Sequence, residues 1–153
     1  VLVTNTRGGN ISVFRDGRLE HTVGRPGTRD GEFSHPHDID VAPDGTVYVV
    51  DSGNNRLQVF DAGLTHRASV GPELKLSGPK YLSVNGERLW LADEYNHRLL
   101  LLDRDLRLLG VLGTGRRGRG ADAFYKPEAV VARAPYLWVI DTYNDRVVLL
   151  RLP

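Results

Sequence analysis

A short pattern recurs along the chain at nearly constant spacing. In each of its last three copies an aspartate ends an apolar segment, an asparagine follows three residues later and an arginine five residues later. These copies are Asp51, Asn54 and Arg56; Asp93, Asn96 and Arg98; and Asp141, Asn144 and Arg146. A degenerate first copy has Asn5 in place of the aspartate, and the successive intervals are 46, 42 and 48 residues. The chain is therefore a tandem repeat in which each copy forms the same supersecondary unit.

The second copy shows what that unit is. It contains four short segments typical of β-strands, separated by turns rich in Pro, Asp, Asn and Gly. The segments are Asp38–Ala42, Thr46–Val50, Leu57–Phe60 and His66–Val70. Because no amphipathic helix lies between them, each copy is predicted to be a four-stranded antiparallel meander.

The strands are apolar on both faces. Val47–Val50 and Leu99–Leu102 lack the alternation of a sheet with one face in water, so we expect neighbouring sheets to cover both sides. One strand position holds a large apolar residue in every copy and is expected to lie between adjacent sheets. The residues at this position are Leu2, Tyr48, Trp90 and Trp138. A period of roughly 40–50 residues with sheets stacked in this way is typical of the blades of a β-propeller.

The second copy resembles the NHL repeat. The residues that carry the resemblance are Gly31, Glu32, Phe33, the run Pro36–Gly45, the run Val47–Asp51, Asn54 and the run Arg56–Phe60. The fourth copy keeps Phe124, Pro127 and its Asp-Asn-Arg triplet, and the third keeps Pro79 and its triplet. The resemblance implies an all-β fold, an NHL-type β-propeller arc of about four blades from a parent propeller of about six. NHL propellers serve as protein-binding, RNA-binding and enzymatic scaffolds, so it implies no single function.

The number of strands in each copy predicts the domain organisation. We expect one propeller segment over 1–153, with a partial blade 1 (1–24), a blade 2 (31–71), a blade 3 (72–113) and a partial blade 4 (121–153). Two blades are complete, blade 1 lacks its innermost strand and blade 4 stops after three strands. Since incomplete blades leave exposed sheet surface, the chain is expected to complete its propeller with further blades or by self-association. A chain that begins at Val1 and lacks methionine is expected to be processed or part of a longer one.

Composition excludes several classes of function. Lys and Arg number 20 against 19 Asp and Glu, for a net charge of +1, so no global field attracts nucleic acid or an anionic membrane. The absence of cysteine excludes disulfides, thiolate metal sites and cysteine nucleophiles. No segment has the composition of a signal peptide or a membrane span, and the compartment stays undetermined.

In the last three copies a proline (Pro36, Pro79 and Pro127) begins the predicted innermost strand, and we call the segment that ends with it the lead-in. An ionisable residue follows this proline in each copy. These residues, His37, Lys80 and Glu128, are predicted to lie at the rim of the central channel and to contribute to binding.

The segment around His37 also resembles the lyase domain of peptide-amidating enzymes, which implies that His37 is a zinc ligand. A lactonase-like hydrolase would instead need calcium, for which Glu128 and Asp38 or Asp40 supply oxygen ligands. No cofactor is predicted, because charged Lys80 is no zinc ligand; zinc and calcium stay as alternatives.

One loop carries concentrated positive charge. Arg116, Arg117 and Arg119 alternate with glycine between blades 3 and 4, a composition suited to RNA or another polyanion. We expect no exposed aromatic residue beside these arginines other than Tyr125.

The repeated Asp-Asn-Arg triplets are interpreted as structural, because they recur in three successive blades whereas a catalytic set would break the symmetry. We expect Asp to accept backbone N–H bonds at the turn, Asn to take a left-handed conformation and Arg to tie the turn to a neighbouring blade. The sequence thus favours a non-catalytic scaffold that binds a protein, peptide or polyanion. The alternative is a metal-assisted lyase or hydrolase with its site in the central channel.

Overall fold

The computed structural model describes residues 1–152, which form fourteen β-strands in four antiparallel sheets. The strands of the first two sheets are β1 (Leu2–Asn5), β2 (Asn10–Arg15), β3 (Arg18–Val23), β4 (Pro36–Val41), β5 (Val47–Asp51), β6 (Arg56–Phe60) and β7 (His66–Val70). Those of the other two are β8 (Pro79–Asn85), β9 (Arg88–Asp93), β10 (Arg98–Asp103), β11 (Leu108–Leu112), β12 (Pro127–Arg133), β13 (Tyr136–Asp141) and β14 (Arg146–Arg151).

The chain divides into two compact units. The N-terminal unit, Val1–Glu73, contains a three-stranded sheet, β1-β2-β3, and a four-stranded sheet, β4-β5-β6-β7. Its core is an apolar cluster shared by these sheets and the segment between them. The buried members are Ile11, Phe33, Val47, Val49 and Phe60.

The C-terminal unit begins at Leu74 and has the reverse arrangement, a four-stranded sheet, β8 to β11, and a three-stranded sheet, β12-β13-β14. Trp90 and Leu99 of the first sheet pack with Val130, Leu137 and Val139 of the second. The numbers of strands, three, four, four and three, confirm two complete blades and two that lack a strand.

The middle strands are buried as the sequence predicts. All five residues of β5 are buried, and in β9 all except Arg88 are buried. Of the residues expected between sheets, Tyr48 and Trp90 are buried, whereas Trp138 is half-buried. The face of the last sheet that includes Trp138 is exposed and apolar. Its exposed members include Val131, Ile140, Val147 and Leu149.

The entry to each innermost strand has a common backbone conformation. The residue before the lead-in proline has positive φ, 49° at His35, 57° at Gly78 and 52° at Lys126. Directly after each proline the register with the next strand shifts, as at a β-bulge. Bulges re-aim side chains away from the regular alternation of a strand. At the starts of β4, β8 and β12 the side chains therefore depart from the regular alternation of the strand.

Within the described residues there is no helix with the length and apolar character that a membrane crossing requires.

Candidate functional site

The Asp-Asn-Arg triplet forms a buried hub in three of the sheets. Asp93 is fully buried, and its Oδ1 accepts a bond from the Ser77 backbone N–H at 2.8 Å. Its Oδ2 accepts from Asn96 Nδ2 at 2.8 Å and Arg98 Nε at 2.7 Å. The Arg98 guanidinium also donates to the Leu74 carbonyl at 2.7 Å. Equivalent bonds surround Asp51 and Asp141, which supports the structural interpretation of the triplets.

Three details of the hub differ from expectation. The left-handed residue is not the asparagine but the one after it, with φ of 52° at Asn55, 53° at His97 and 52° at Asp145. The asparagine instead ends a single 3₁₀ turn and uses its amide as a donor. The backbone N–H bonded to each aspartate belongs to the lead-in segment before the innermost strand and not to the turn. The arginine likewise donates to carbonyls of the lead-in of its own blade, as Arg98 does to Leu74, so the expectation that it ties the turn to a neighbouring blade is wrong. The hub therefore ties the lead-in to the turn of the same blade.

The predicted rim residues all lie at the strand entries. His37 is half-buried on β4 of the N-terminal unit, and its backbone carbonyl accepts from Thr4 Oγ1 at 3.3 Å. Lys80 on β8 and Glu128 on β12 belong to the C-terminal unit, where both act on a residue that the sequence analysis missed, Glu94. Lys80 Nζ lies 3.6 Å from Glu94 Oε2, and the charge of Glu128 raises the Glu94 pKa.

Glu94 is a buried carboxyl, with 4% of its side chain exposed. Burial, more than any neighbouring charge, raises its pKa above the ordinary value; Lys80 and Lys126 oppose the shift and Glu128 adds to it. Oε2 has Lys80 Nζ as an ion-pair partner at 3.6 Å, slightly beyond hydrogen-bonding distance. A buried oxygen of this kind is unusual in folded proteins and often marks a functional position.

Lys126 joins Glu94 to two tyrosines. Its Nζ lies 4.0 Å from Glu94 Oε1, 4.7 Å from the centre of the Tyr95 ring and 4.6 Å from that of Tyr143. Cation–π contacts of this length hold the rings on either side of the ammonium. Both rings still present a large surface to solvent, since Tyr95 is 52% and Tyr143 48% exposed.

The basic loop reaches the same place. The Arg117 guanidinium stacks 4.3 Å from the centre of the Tyr125 ring, which lies 5.1 Å from the Tyr143 ring. Arg119 Nε donates to Asn144 Oδ1 at 3.2 Å, while Arg116 is exposed. The expectation that Tyr125 alone accompanies the arginines is wrong, because Tyr143 comes from a turn distant in sequence. We call Tyr95, Arg117, Tyr125, Lys126 and Tyr143 the tyrosine–arginine surface.

His97 contacts two residues of this surface, Lys126 and Tyr125. Its Nδ1 accepts a bond from the Lys126 backbone N–H at 3.1 Å, so a neutral His97 carries its proton on Nε2. Its ring packs edge-on against Tyr125 at 5.6 Å. Burial lowers the pKa of His97, and the charges of Lys126 and Arg117 lower it further. His97 is thus held neutral and fixes the start of β12.

The donor groups needed for a metal ion are not assembled here. Within residues 1–152 no three side chains of His, Asp or Glu are grouped so as to hold an ion. Lys80 at the second entry is a cation paired with Glu94. The described residues therefore do not by themselves fit zinc or calcium.

The sequence does contain a signal for the missed residues. Tyr95 and Tyr143 follow the hub aspartate by two residues, where the second copy has Gly53. Lys126 occupies the position of His35 and Gly78. The third and fourth copies thus depart from the second at the positions that meet in the tyrosine–arginine surface.

Comparison with known proteins supports the fold. The family model of the NHL repeat matches residues 33–60. A search by sequence finds no matching curated protein.

Solved structures match over nearly the whole chain. A chain of the nidogen/laminin complex superposes with a TM-score of 0.72 at 21% identity, covering 99% of this chain and 54% of that one. A catalytically inactive virginiamycin B lyase from Staphylococcus aureus with quinupristin gives 0.68 at 14% identity, covering 99% and 52%. An auxiliary nutrient binding protein from Bacteroides thetaiotaomicron gives 0.69 at 14% identity, covering 93% and 43%. The chain spans about half the length of the first of these structures, and the matches confirm the predicted β-propeller fold.

Proposed function

Since this chain consists of NHL-type β-propeller blades, we propose that it is a non-catalytic scaffold that binds a protein or peptide on the tyrosine–arginine surface. The observation that carries the proposal is the continuous series of ring and cation contacts from Arg117 through Tyr125 and Tyr143 to Lys126 and Tyr95. Tyrosine and arginine are the residue types that dominate binding energy at protein interfaces.

The surface is also held in place before a partner arrives. Lys126 sits between two tyrosine rings, and the ring of Tyr125 is flanked by Arg117 and His97. Side chains already fixed in this way lose little rotamer freedom on binding, which lowers the entropic cost of forming a complex. The half-exposed rings of Tyr95 and Tyr143 supply the contact area.

A partner that is a protein agrees with what structural neighbours bind, since one of them is a chain of the nidogen/laminin complex. That similarity is one of fold, so the site on this chain rests on its own residues. Completion of the propeller by further blades or by a second copy is part of the proposal, because the last sheet leaves Val147 and Leu149 exposed.

Selection of peptides from a random display library tests the proposal. The immobilised protein should enrich specific peptides, and Tyr143→Ala should weaken their binding by about tenfold or more, the effect expected for an interface hot spot. Tyr81→Ala is the matched control, because Tyr81 is also a half-exposed tyrosine of the C-terminal unit, at 40%. If no peptide is enriched, or if Y143A and Y81A bind like the wild type, the proposed function is wrong.

A metal-assisted lyase or hydrolase is the second candidate, and one observation favours it. Glu94 is a buried carboxyl with a raised pKa, a property frequent among catalytic acids and bases. Lys80 and Glu128, whose charges act on Glu94, lie at the starts of β8 and β12. Such an enzyme would need metal ligands in addition to the described residues. Elemental analysis of the purified protein decides the matter: stoichiometric zinc or calcium that is lost in His37→Ala or Glu128→Ala would replace the scaffold with this function.

A further inference from the structure

Two grooves occupy equivalent positions in the second and fourth sheets. In the fourth, Asn144 Nδ2 donates to the Gly118 carbonyl at 2.7 Å, and the Gly118 N–H donates to the Phe124 carbonyl at 3.1 Å. In the second, Asn54 donates to Gly27 at 2.8 Å, and the Gly27 N–H donates to Phe33 at 3.0 Å. The repeat thus forms the same pair of hydrogen bonds around a glycine of the lead-in segment in both sheets. The second groove is also lined by Thr6, Arg7 and Gly9, which follow β1.

The side chains that line the two grooves differ. In the second sheet the positions on either side of the glycine are Pro26 and Thr28, and the groove is also lined by Arg7 and His35. Its hub turn has Gly53 where the fourth sheet has a tyrosine. In the fourth sheet the corresponding residues are Arg117, Arg119 and Tyr143. The fourth groove therefore has two guanidiniums and an aromatic ring at these positions, while the two hydrogen bonds around the glycine are the same. We call it the arginine groove; its lining is Arg117, Gly118, Arg119, Tyr125, Tyr143 and Asn144.

The two guanidiniums are not neutralised within the protein. Among residues 1–152 no carboxylate forms an ion pair with Arg117 or Arg119, whereas Arg56, Arg98 and Arg146 are each paired with a buried aspartate. Arg119 uses Nε toward Asn144, which leaves further N–H donors of its fork, and Arg117 has a ring against one face. Arginine in this state is suited to bidentate recognition of an oxyanion.

The groove has the size of a side-chain pocket. Its volume is about 380 Å³, near the lower end of the range of roughly 300–1,000 Å³ for ligand sites. The positive charge is local, since exposed Asp122 and Asp145 lie in the same loop and turn. Binding of a polynucleotide requires a long row of basic residues on the protein that follows the nucleic-acid backbone. One or two acidic side chains of a peptide can be bound by a small group of basic residues.

From these observations we propose that the arginine groove is the subsite for an aspartate or glutamate side chain of an acidic peptide segment. Its carboxylate pairs with Arg117 and Arg119 while the adjoining chain lies on Tyr143. This rests on the proposed function and adds the chemical class of the partner. Arg116 is exposed in the same loop and adds to the positive field without lining the groove.

Fluorescence anisotropy with labelled oligo-glutamate, oligo-glutamine and a single-stranded oligonucleotide tests the proposal at low ionic strength. Oligo-glutamate should bind in preference to the other two probes. The double substitution Arg117→Ala and Arg119→Ala should weaken it by about tenfold or more. The control is Arg15→Ala with Arg18→Ala, which removes the same charge from exposed positions of the N-terminal unit.

A second variant guards against loss of folding. Arg117→Lys with Arg119→Lys keeps both charges but not the planar fork, and it should recover only part of the affinity for oligo-glutamate. Equal losses in the two alanine doubles, or full recovery by the lysine double, would show a general electrostatic attraction and overturn the proposal. Tighter binding of the oligonucleotide than of oligo-glutamate, sensitive to Arg117 and Arg119, would assign the groove to nucleic acid instead.

The outcomes separate this proposal from the proposed function. If display selection enriches peptides that need Tyr143 but contain no acidic residue, the scaffold function stands and the acidic subsite is wrong. If no peptide depends on Tyr143, the proposed function itself fails.

Discussion

Replacing Asp93 with alanine removes the acceptor of three hydrogen bonds in one change. Its carboxylate is fully buried and accepts from the Ser77 backbone at 2.8 Å, from Asn96 at 2.8 Å and from Arg98 at 2.7 Å. Each bond that involves a charged group contributes about 1.5–3 kcal/mol, but contributions within one network are not additive. Removing one partner of a buried ion pair costs about 3–5 kcal/mol, and this is the expected loss in the free energy of unfolding.

Urea denaturation followed by tryptophan fluorescence measures the loss. Trp90 lies on β9 beside the hub and Trp138 lies on β13, so both report on the C-terminal unit that contains Asp93. Asp93→Asn should lose less than Asp93→Ala, because its amide oxygen still accepts one bond. Asp105→Ala is the control; its carboxylate is 72% exposed and pairs with exposed Arg107, so it should cost less than about 1 kcal/mol.

The double substitution of Asp93 and Arg98 by alanine completes the test. Because it leaves neither charge unpaired, it should cost less than the sum of the two single substitutions. A loss below about 1 kcal/mol for Asp93→Ala would refute the view that the triplet holds the lead-in segment to the turn, as would simple additivity of the two single losses.

Two further predictions concern charge and exposed surface. Because burial raises the pKa of Glu94, the folded chain binds that proton more tightly than the unfolded chain. Stability should therefore fall as pH rises from the ordinary glutamate pKa of about 4.5 through the raised pKa of the folded state. Glu94→Gln should remove this slope from denaturation curves measured across that range; a slope that persists would assign it to other groups. Val147 and Leu149 are 61% and 56% exposed on the last sheet, so light scattering should detect self-association that Val147→Glu with Leu149→Glu reduces. A wild-type protein that remains monomeric and soluble would contradict this.

The sequence predicts the hub because its residues are local. The asparagine follows the aspartate by three positions and the arginine follows the asparagine by two. Three copies of this pattern distinguish it from chance. What the sequence did not predict is which backbone atoms they bond. The N–H that Asp93 accepts belongs to Ser77, sixteen residues earlier, and the left-handed residue is the neighbour of the asparagine. The residue types of the triplet therefore predict that a hub forms. Which backbone groups bond to it depends on how the lead-in packs against the turn of the same blade.

The tyrosine–arginine surface was harder to predict because its residues are far apart in sequence. Tyr95 follows β9 and Lys126 precedes β12, and Lys126 has the positive φ found before each lead-in proline. At Gly78 an added Cβ would lie 2.4 Å from the Tyr95 ring, so the absence of a side chain there makes room for the ring. Neither requirement can be read from periodicity or hydropathy. Comparing the copies position by position reveals both, because Gly78 and Lys126 are where the third and fourth copies depart from the second.

That comparison separates structure from function within a repeat. Positions that are the same in the last three copies are occupied by the hub, whose hydrogen bonds are satisfied inside the blade. The positions that differ between equivalent grooves, such as Thr28 and Arg119, leave the backbone bonds unchanged, since the same asparagine-to-glycine bond closes both grooves. A substitution at such a position is free to alter recognition without loss of the fold. Arg117 and Arg119 flank the glycine of the fourth groove, and Tyr143 lies in its hub turn. The second groove has no arginine or tyrosine at these three positions, and we therefore place the binding function in the fourth.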